Sequence, residues 1–222
     1  MAYIGNSPDL NESVGESQLS SDLGNVDLTS DSEINQSGGS GTSNTAFGKN
    51  AGDSIASGGN YNVALGEGAG TAITTGDNNT LVGYGAGDAL VGMTDNTAIG
   101  YNALTGSSLV DSTVVIGSGA GIAALTAAAD GAVIIGYGAG AALTSGAGDT
   151  FIGYNAGAAN STGLYNTAVG DGSLLGNVDG DKNTAIGYQA VEDFEADTDA
   201  HGLNTAVGYQ AGKTISTGAS IV

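Results

Sequence analysis

The chain has no cysteine, no tryptophan and no arginine, one proline, one histidine and three lysines in 222 residues. Without thiols it can form neither disulfides nor thiolate metal sites, and cysteine usage leaves the redox compartment unmarked. Lys49, Lys182 and Lys213 are scattered, whereas a nucleic-acid surface needs clustered cations to displace phosphate counterions. Charge therefore argues against DNA and RNA as partners, and it disfavours anionic membrane surfaces for the same reason. No apolar run approaches the ~18 residues of a spanning helix, so no membrane insertion is expected. The opening M-A-Y-I-G-N-S-P-D-L carries neither a basic nor a hydrophobic stretch. No signal peptide is expected, and neither is export before assembly, so assembly in a cytoplasm is the expectation.

What the chain does have is glycine, 41 residues of it, and 23 acidic residues for a formal charge of −20. Its hydrophobic content of 40 % is too high for a flexible Gly/Ser linker. The acidity suits solubility or a setting rich in divalent cations. Stability is therefore expected to respond more to calcium or magnesium than to sodium. The dominant signal is repetition. Asn204–Gly212 (N-T-A-V-G-Y-Q-A-G) is rewritten at Asn44–Gly52, Asn79–Gly87, Asp149–Gly157 and Asn183–Val191. The central glycines are Gly48, Gly66, Gly83, Gly100, Gly117, Gly136, Gly153, Gly170, Gly187 and Gly208. Most steps between them are 17 residues, and the longest is 21. Ten copies at so regular a period indicate stacked supersecondary units.

Each column of the repeat has a physical character. Phe47, Leu65, Val82, Ile99, Ile116, Ile135, Ile152, Val169, Ile186 and Val207 precede the central glycines. This column is expected to form the structural core. Two residues earlier lies a column of Thr and Val, on the same face of an extended strand. Between the two runs a mostly small column, including Ala46, Ala64, Ala98, Ala168, Ala185 and Ala206. Its thin face is expected to admit a neighbouring backbone. Seven residues after the glycine come Ile55, Ile73, Leu90, Leu143, Phe194 and Ile215, the mark of a second, weaker strand. Turn chemistry such as S-G-G-N (Ser57–Asn60) closes each unit. The predicted fold is all-β, a β-roll or β-solenoid of about ten 17-residue coils. At the usual strand separation the rod is about 48 Å long.

The domain reading has three parts. Residues 1–37 are polar and acidic, an N-terminal extended attachment segment that either docks on a larger assembly or caps the first coil. Residues 38–43 (S-G-G-S-G-T) form a short joint, and residues 44–222 form the β-roll domain. Two copies carry insertions, Ile122–Ala132 and Val191–Leu203, which in a solenoid map to loops on one edge.

No catalytic set emerges. The G-x-G-x-G triplets recur at a fixed repeat position and lack a βαβ context, so they are structural. D-G-D-K-N (Asp179–Asn183) opens like a calcium loop, but Thr184 and Ala190 stand where an EF-hand needs Gly and Glu. Loosely bound divalent cations are the only cofactor this leaves. His201 lies in the acidic insertion and reads as a solvated side chain or a ligand contact. Left-handed β-helix acyltransferases share aliphatic-Gly steps, but their six-residue sub-period is missing here. The chain is not expected to be an enzyme. Tyr84, Tyr101, Tyr137, Tyr154, Tyr188 and Tyr209 all follow a central glycine. Such a row is either a structural stack or a set of platforms for sugar rings. With Glu192, Asp193 and His201 these tyrosines are the candidate receptor contacts.

The motif N-T-A-[IV]-G-Y-x-A-G, spaced by S-T-G or T-T-G, resembles repeats of bacteriophage tail-fibre-like proteins. It is also similar to the N-S-V-A-I-G head repeats of trimeric autotransporter adhesins. The resemblance covers residues 44–218 and implies a homotrimer of left-handed parallel β-rolls. The unit is longer than in adhesin heads, and no coiled-coil stalk is expected. The function this implies is that of a structural virion protein, a tail fibre or related appendage in the virion. It would join other virion proteins through residues 1–37 and meet a host-surface glycan along its rod. A virion decoration or neck protein without a receptor, and a bacterial adhesin head, are the alternatives.

Overall fold

A computed structural model describes residues 34–35, 41–194 and 202–215. Ten strands of three residues each, from β2 (Thr45–Phe47) to β11 (Thr205–Val207), lie side by side in chain order in one sheet. Every neighbouring pair among them is parallel and aligns the same positions of the repeat, as in Thr167 beside Thr184 beside Thr205 and Ala168 beside Ala185 beside Ala206. The four extra residues before β11 leave this register intact, so the insertion is absorbed outside the sheet. The chain is an all-β parallel solenoid of about nine turns. Ahead of it β1 (Ile34–Asn35) runs antiparallel along the open edge of β2. Apart from Ile34 and Asn35, the amino-terminal segment lies outside the described residues, as does His201.

Which side of the strand faces inward corrects the expectation. Phe47, Leu65, Val82, Ile99, Ile116, Ile135, Ile152, Val169, Ile186 and Val207 point out of the roll, with Phe47 50 % and Val207 66 % exposed. The intervening column is buried instead, from Ala46 through Leu81, Ala98, Val115 and Phe151 to Ala206. The cause is the narrowness of the coil. Its interior also receives the second alanine of each motif, such as Ala51, Ala69 and Ala86, together with Ile55, Ile73 or Leu90 from the far wall. Little room remains for the strand residue, and where it is large something opposite must be small. A Cβ on Gly87 would lie 2.7 Å from Leu81 Cδ2, and one on Gly157 2.6 Å from Phe151 Cδ1. Where the strand residue is alanine, as at Ala98 and Ala168, buried Leu104 and Leu174 take the glycine's place. In these layers volume is exchanged between positions six residues apart, whereas Ala46, Ala64 and Ala206 keep Gly52, Gly70 and Gly212, beside which Ile55, Ile73 and Ile215 pack.

The second strand does not form. Ile55, Ile73, Leu90, Leu143 and Phe194 are buried as expected, but they lie outside any strand. Single backbone bonds between coils hold this wall, as from Thr74 N–H to Val91 O at 2.7 Å and from Ser161 N–H to Val178 O at 2.8 Å. The first insertion contributes a 3₁₀ turn, Ala127–Ala129, with Ala129 and Ala132 buried.

The asparagine that opens the motif is an internal ladder. Asn62, Asn79, Asn96, Asn166, Asn183 and Asn204 are fully buried. From Asn44 to Asn183 the amide oxygens take a backbone N–H from the next coil: Asn44 Oδ1 from Asn62 at 2.8 Å, Asn62 Oδ1 from Asn79 at 3.0 Å, Asn166 Oδ1 from Asn183 at 2.9 Å. The amide nitrogens of Asn44, Asn62, Asn79, Asn96 and Asn166 close their own coils by donating to a carbonyl, as Asn62 Nδ2 to Gly76 O and Asn166 Nδ2 to Gly180 O. The tight turns where the β ladder stops therefore leave few backbone groups unpaired.

Candidate functional site

The site begins with the central glycine. Its φ runs from +128° at Gly48 to +142° at Gly153, a region closed to side chains, and it turns the chain sharply at the end of each strand. The following residue is thrown outward at a corner of the rod. All six tyrosines of the column stand there, 44–73 % exposed. They do not form one continuous row. Tyr84 stacks on Tyr101 at 5.4 Å between centroids, Tyr137 on Tyr154 at 5.2 Å and Tyr188 on Tyr209 at 5.3 Å, with rings 10–12° from parallel. Ser118 interrupts the column between the first two pairs, and Asp171 between the second and third. Strand register makes these gaps one rung wide.

Beside the rings the next column is mostly Gly and Asn, which leaves a shallow groove along the corner. One recess of about 290 Å³ opens at Ser118 and is lined by Tyr101, Asn102, Ile122, Tyr137 and Ala141. A second, of about 330 Å³, lies toward the first coil beside Tyr84, with Glu67, Thr71 and Asp88 on its walls. Asn102 lines both.

The acidic candidates fall elsewhere in character. Glu192 is tied down: its Oε1 accepts from Gln189 Nε2 at 2.7 Å and its Oε2 pairs with Lys213 Nζ at 2.6 Å. Lys213 also reaches Gln189 Oε1 at 2.9 Å, and the ion pair with Glu192 raises its pKa. Asp193 is exposed beside this network, with its backbone N–H bound to Lys213 O. Several other aspartates stitch coils rather than face ligands. Asp77 Oδ1 accepts the Asn60 N–H at 2.6 Å and Asp181 Oδ1 the Leu164 N–H at 2.8 Å. Among the described residues no three His, Cys, Asp or Glu side chains converge as metal ligands would.

One functional group escaped the sequence reading. Asp149 replaces asparagine in the internal ladder, 1 % exposed, and burial pushes its carboxyl up to about 7 against the usual 3.8. Hydrogen bonds from Asn166 oppose that rise, and the charge of Asp181 adds to it. The signal was the opening letter of the repeat, Asn in most copies and Asp in one.

These features define a parallel β-solenoid with a segmented aromatic corner and an outward apolar wall. Protein-family models, curated proteins and solved structures yield no match to the chain.

Proposed function

We propose that the chain is a structural virion protein, a tail fibre or related appendage working without catalysis as a homotrimeric rod. It docks on other virion proteins through residues 1–37 and meets the host surface along its coils. The observation that carries this reading is the outward aliphatic column. Between Phe47 and Val207 every rung places a Val, Ile, Leu or Phe on the outer sheet face, flanked by Thr and Val. A charge-free apolar ribbon of that length is unusual on an isolated chain. Removing a half-exposed aliphatic side chain from water contributes about 1 kcal/mol, and the contribution recurs at each rung. Copies of the same chain offer the same straight, equally spaced ribbon. Three left-handed rolls about one axis is the arrangement that the adhesin-head resemblance implies. At the first rung, β1 sets the end of the amino-terminal segment on the sheet edge, so docking through that segment would hold the rod by this end.

The solution mass tests the assembly: the expected particle is three times the chain mass of 21.3 kDa. A monomer at micromolar concentration would defeat the rod as drawn. Antibodies against the coils should decorate an appendage of intact particles. Removing residues 1–33, which leaves β1 in place, should give soluble trimers that no longer join particles. Normal incorporation of that truncated chain would remove the docking role.

A further inference from the structure

We propose that the one-rung gap at Ser118, between the rings of Tyr101 and Tyr137, is a binding site for an uncharged pyranose ring of a longer glycan. This rests on the reading of the rod as a host-contacting surface and names the ligand class and the coil.

The geometry starts from the sheet. Rungs two apart are separated by about 9.5 Å. Tyr101 and Tyr137 occupy two such rungs, and each has its partner ring, Tyr84 or Tyr154, stacked on the side away from the gap. One ring face of each tyrosine therefore looks into the recess. A flat ring needs about 3.5–4.0 Å of contact distance on each face, so an opening of about 9.5 Å takes one ring and not two. Packing in the stacked pairs holds the walls in place, and the site is preformed.

The chemistry of the lining selects a sugar. Tyrosine faces accept the C–H face of a pyranose, and Ile122 and Ala141 add apolar contact at the side. The Ser118 hydroxyl and the Asn102 amide supply a donor and acceptors for ring hydroxyls, which a purely hydrocarbon ring would leave unpaired. The groove continues past Tyr84 to the second recess, where Glu67, Asp88 and Thr71 offer further acceptors. Asn102 lies on the wall of both, so a chain of linked rings can follow the corner. Those carboxylates and the formal charge of −20 repel sulfated or sialylated chains and select neutral ones. The Asp171 gap has the same width but carries a charge, and it serves as the internal comparison.

The test is retention of the full-length chain on immobilised neutral hexose oligosaccharides, with sulfated and sialylated counterparts on the same surface. The wild type should be retained on neutral chains. Ser118→Tyr fills the gap with the ring its own column prefers. It should keep the melting temperature and weaken binding about tenfold or more, the factor that about 1.4 kcal/mol of stacking makes. Asp171→Tyr should bind as the wild type does. No retention on any neutral oligosaccharide, a preference for the anionic ones, or undiminished binding by Ser118→Tyr would overturn the proposal. Particle adsorption separates the two readings. Adsorption that survives Ser118→Tyr, with no array binding, removes the sugar site and leaves host contact standing. Array binding lost in Ser118→Tyr on particles that never adsorb does the reverse.

Discussion

Asp149 accepts the backbone N–H of Asn166 through Oδ1 at 2.7 Å, in the place where Asn62 Oδ1 accepts that of Asn79 at 3.0 Å. The two acceptors are equivalent, and the other half of the side chain is not. Asn62 Nδ2 donates to Gly76 O, fourteen residues on, whereas the buried Asp149 Oδ2 has no partner. The carbonyl at the matching position is Gly163 O, and a carboxylate cannot donate to it. Burial favours the protonated carboxyl, whose hydroxyl can donate where a carboxylate cannot.

Stability should therefore fall as pH rises. The folded-state carboxyl titrates near 7 and the unfolded one near 3.8, so the folded chain holds more protons between these values. The full contribution is present below about 3.8, declines up to about 7 and is absent above it. At about 1.4 kcal/mol per pH unit the loss is about 4 kcal/mol. Asp149→Asn supplies the donor permanently. Melting temperatures at pH 5 and pH 8 should differ for the wild type and converge for this variant. An unchanged pH dependence in Asp149→Asn would show that the proton sits elsewhere.

The central glycines should not be interchangeable. A Cβ on Gly66, at φ +130°, would lie 2.5 Å from Gly83 O in the next coil. On Gly208, at the same φ, the nearest atom is Ala211 Cβ at 3.9 Å. Backbone strain and displaced backbone together should cost Gly66→Ala about 2–6 kcal/mol. Gly208→Ala meets the strain alone, about 1–3 kcal/mol. Urea midpoints of the two variants provide the comparison, and equal losses would mean that coil contact plays no part.

Neighbours in one strand should fail in different ways. Ala98 is fully buried in a layer already filled by Leu104, so Ala98→Leu should cost the fold about 1–3 kcal/mol. Ile99, the next residue, faces outward and is 36 % exposed. Ile99→Ser should keep the circular-dichroism spectrum and lower the association constant of the assembly. Sedimentation of the two variants separates the cases, and an unaffected assembly in Ile99→Ser would place the interface on another face.

The ten-copy repeat alone determined the architecture. A glycine recurring every 17 residues, with β-branched residues before it, leaves no arrangement except stacked coils with like residues side by side. Tyr84 beside Tyr101 and Ala168 beside Ala185 follow from that spacing. The alternation in T-A-I also separates two faces of each strand, but it carries no label for the inside. Only the tertiary structure decided that, because the space across a coil depends on what the far wall contributes. Ile55, Ile73 and the motif's second alanines fill it, so alanine goes in and isoleucine goes out. The same holds for the chemistry. Ser118 is one polar letter in the sequence, and it becomes a recess only because register sets Tyr101 and Tyr137 on either side of it. Asp149 is an ordinary carboxylate until the asparagine ladder encloses it and burial raises its affinity for a proton.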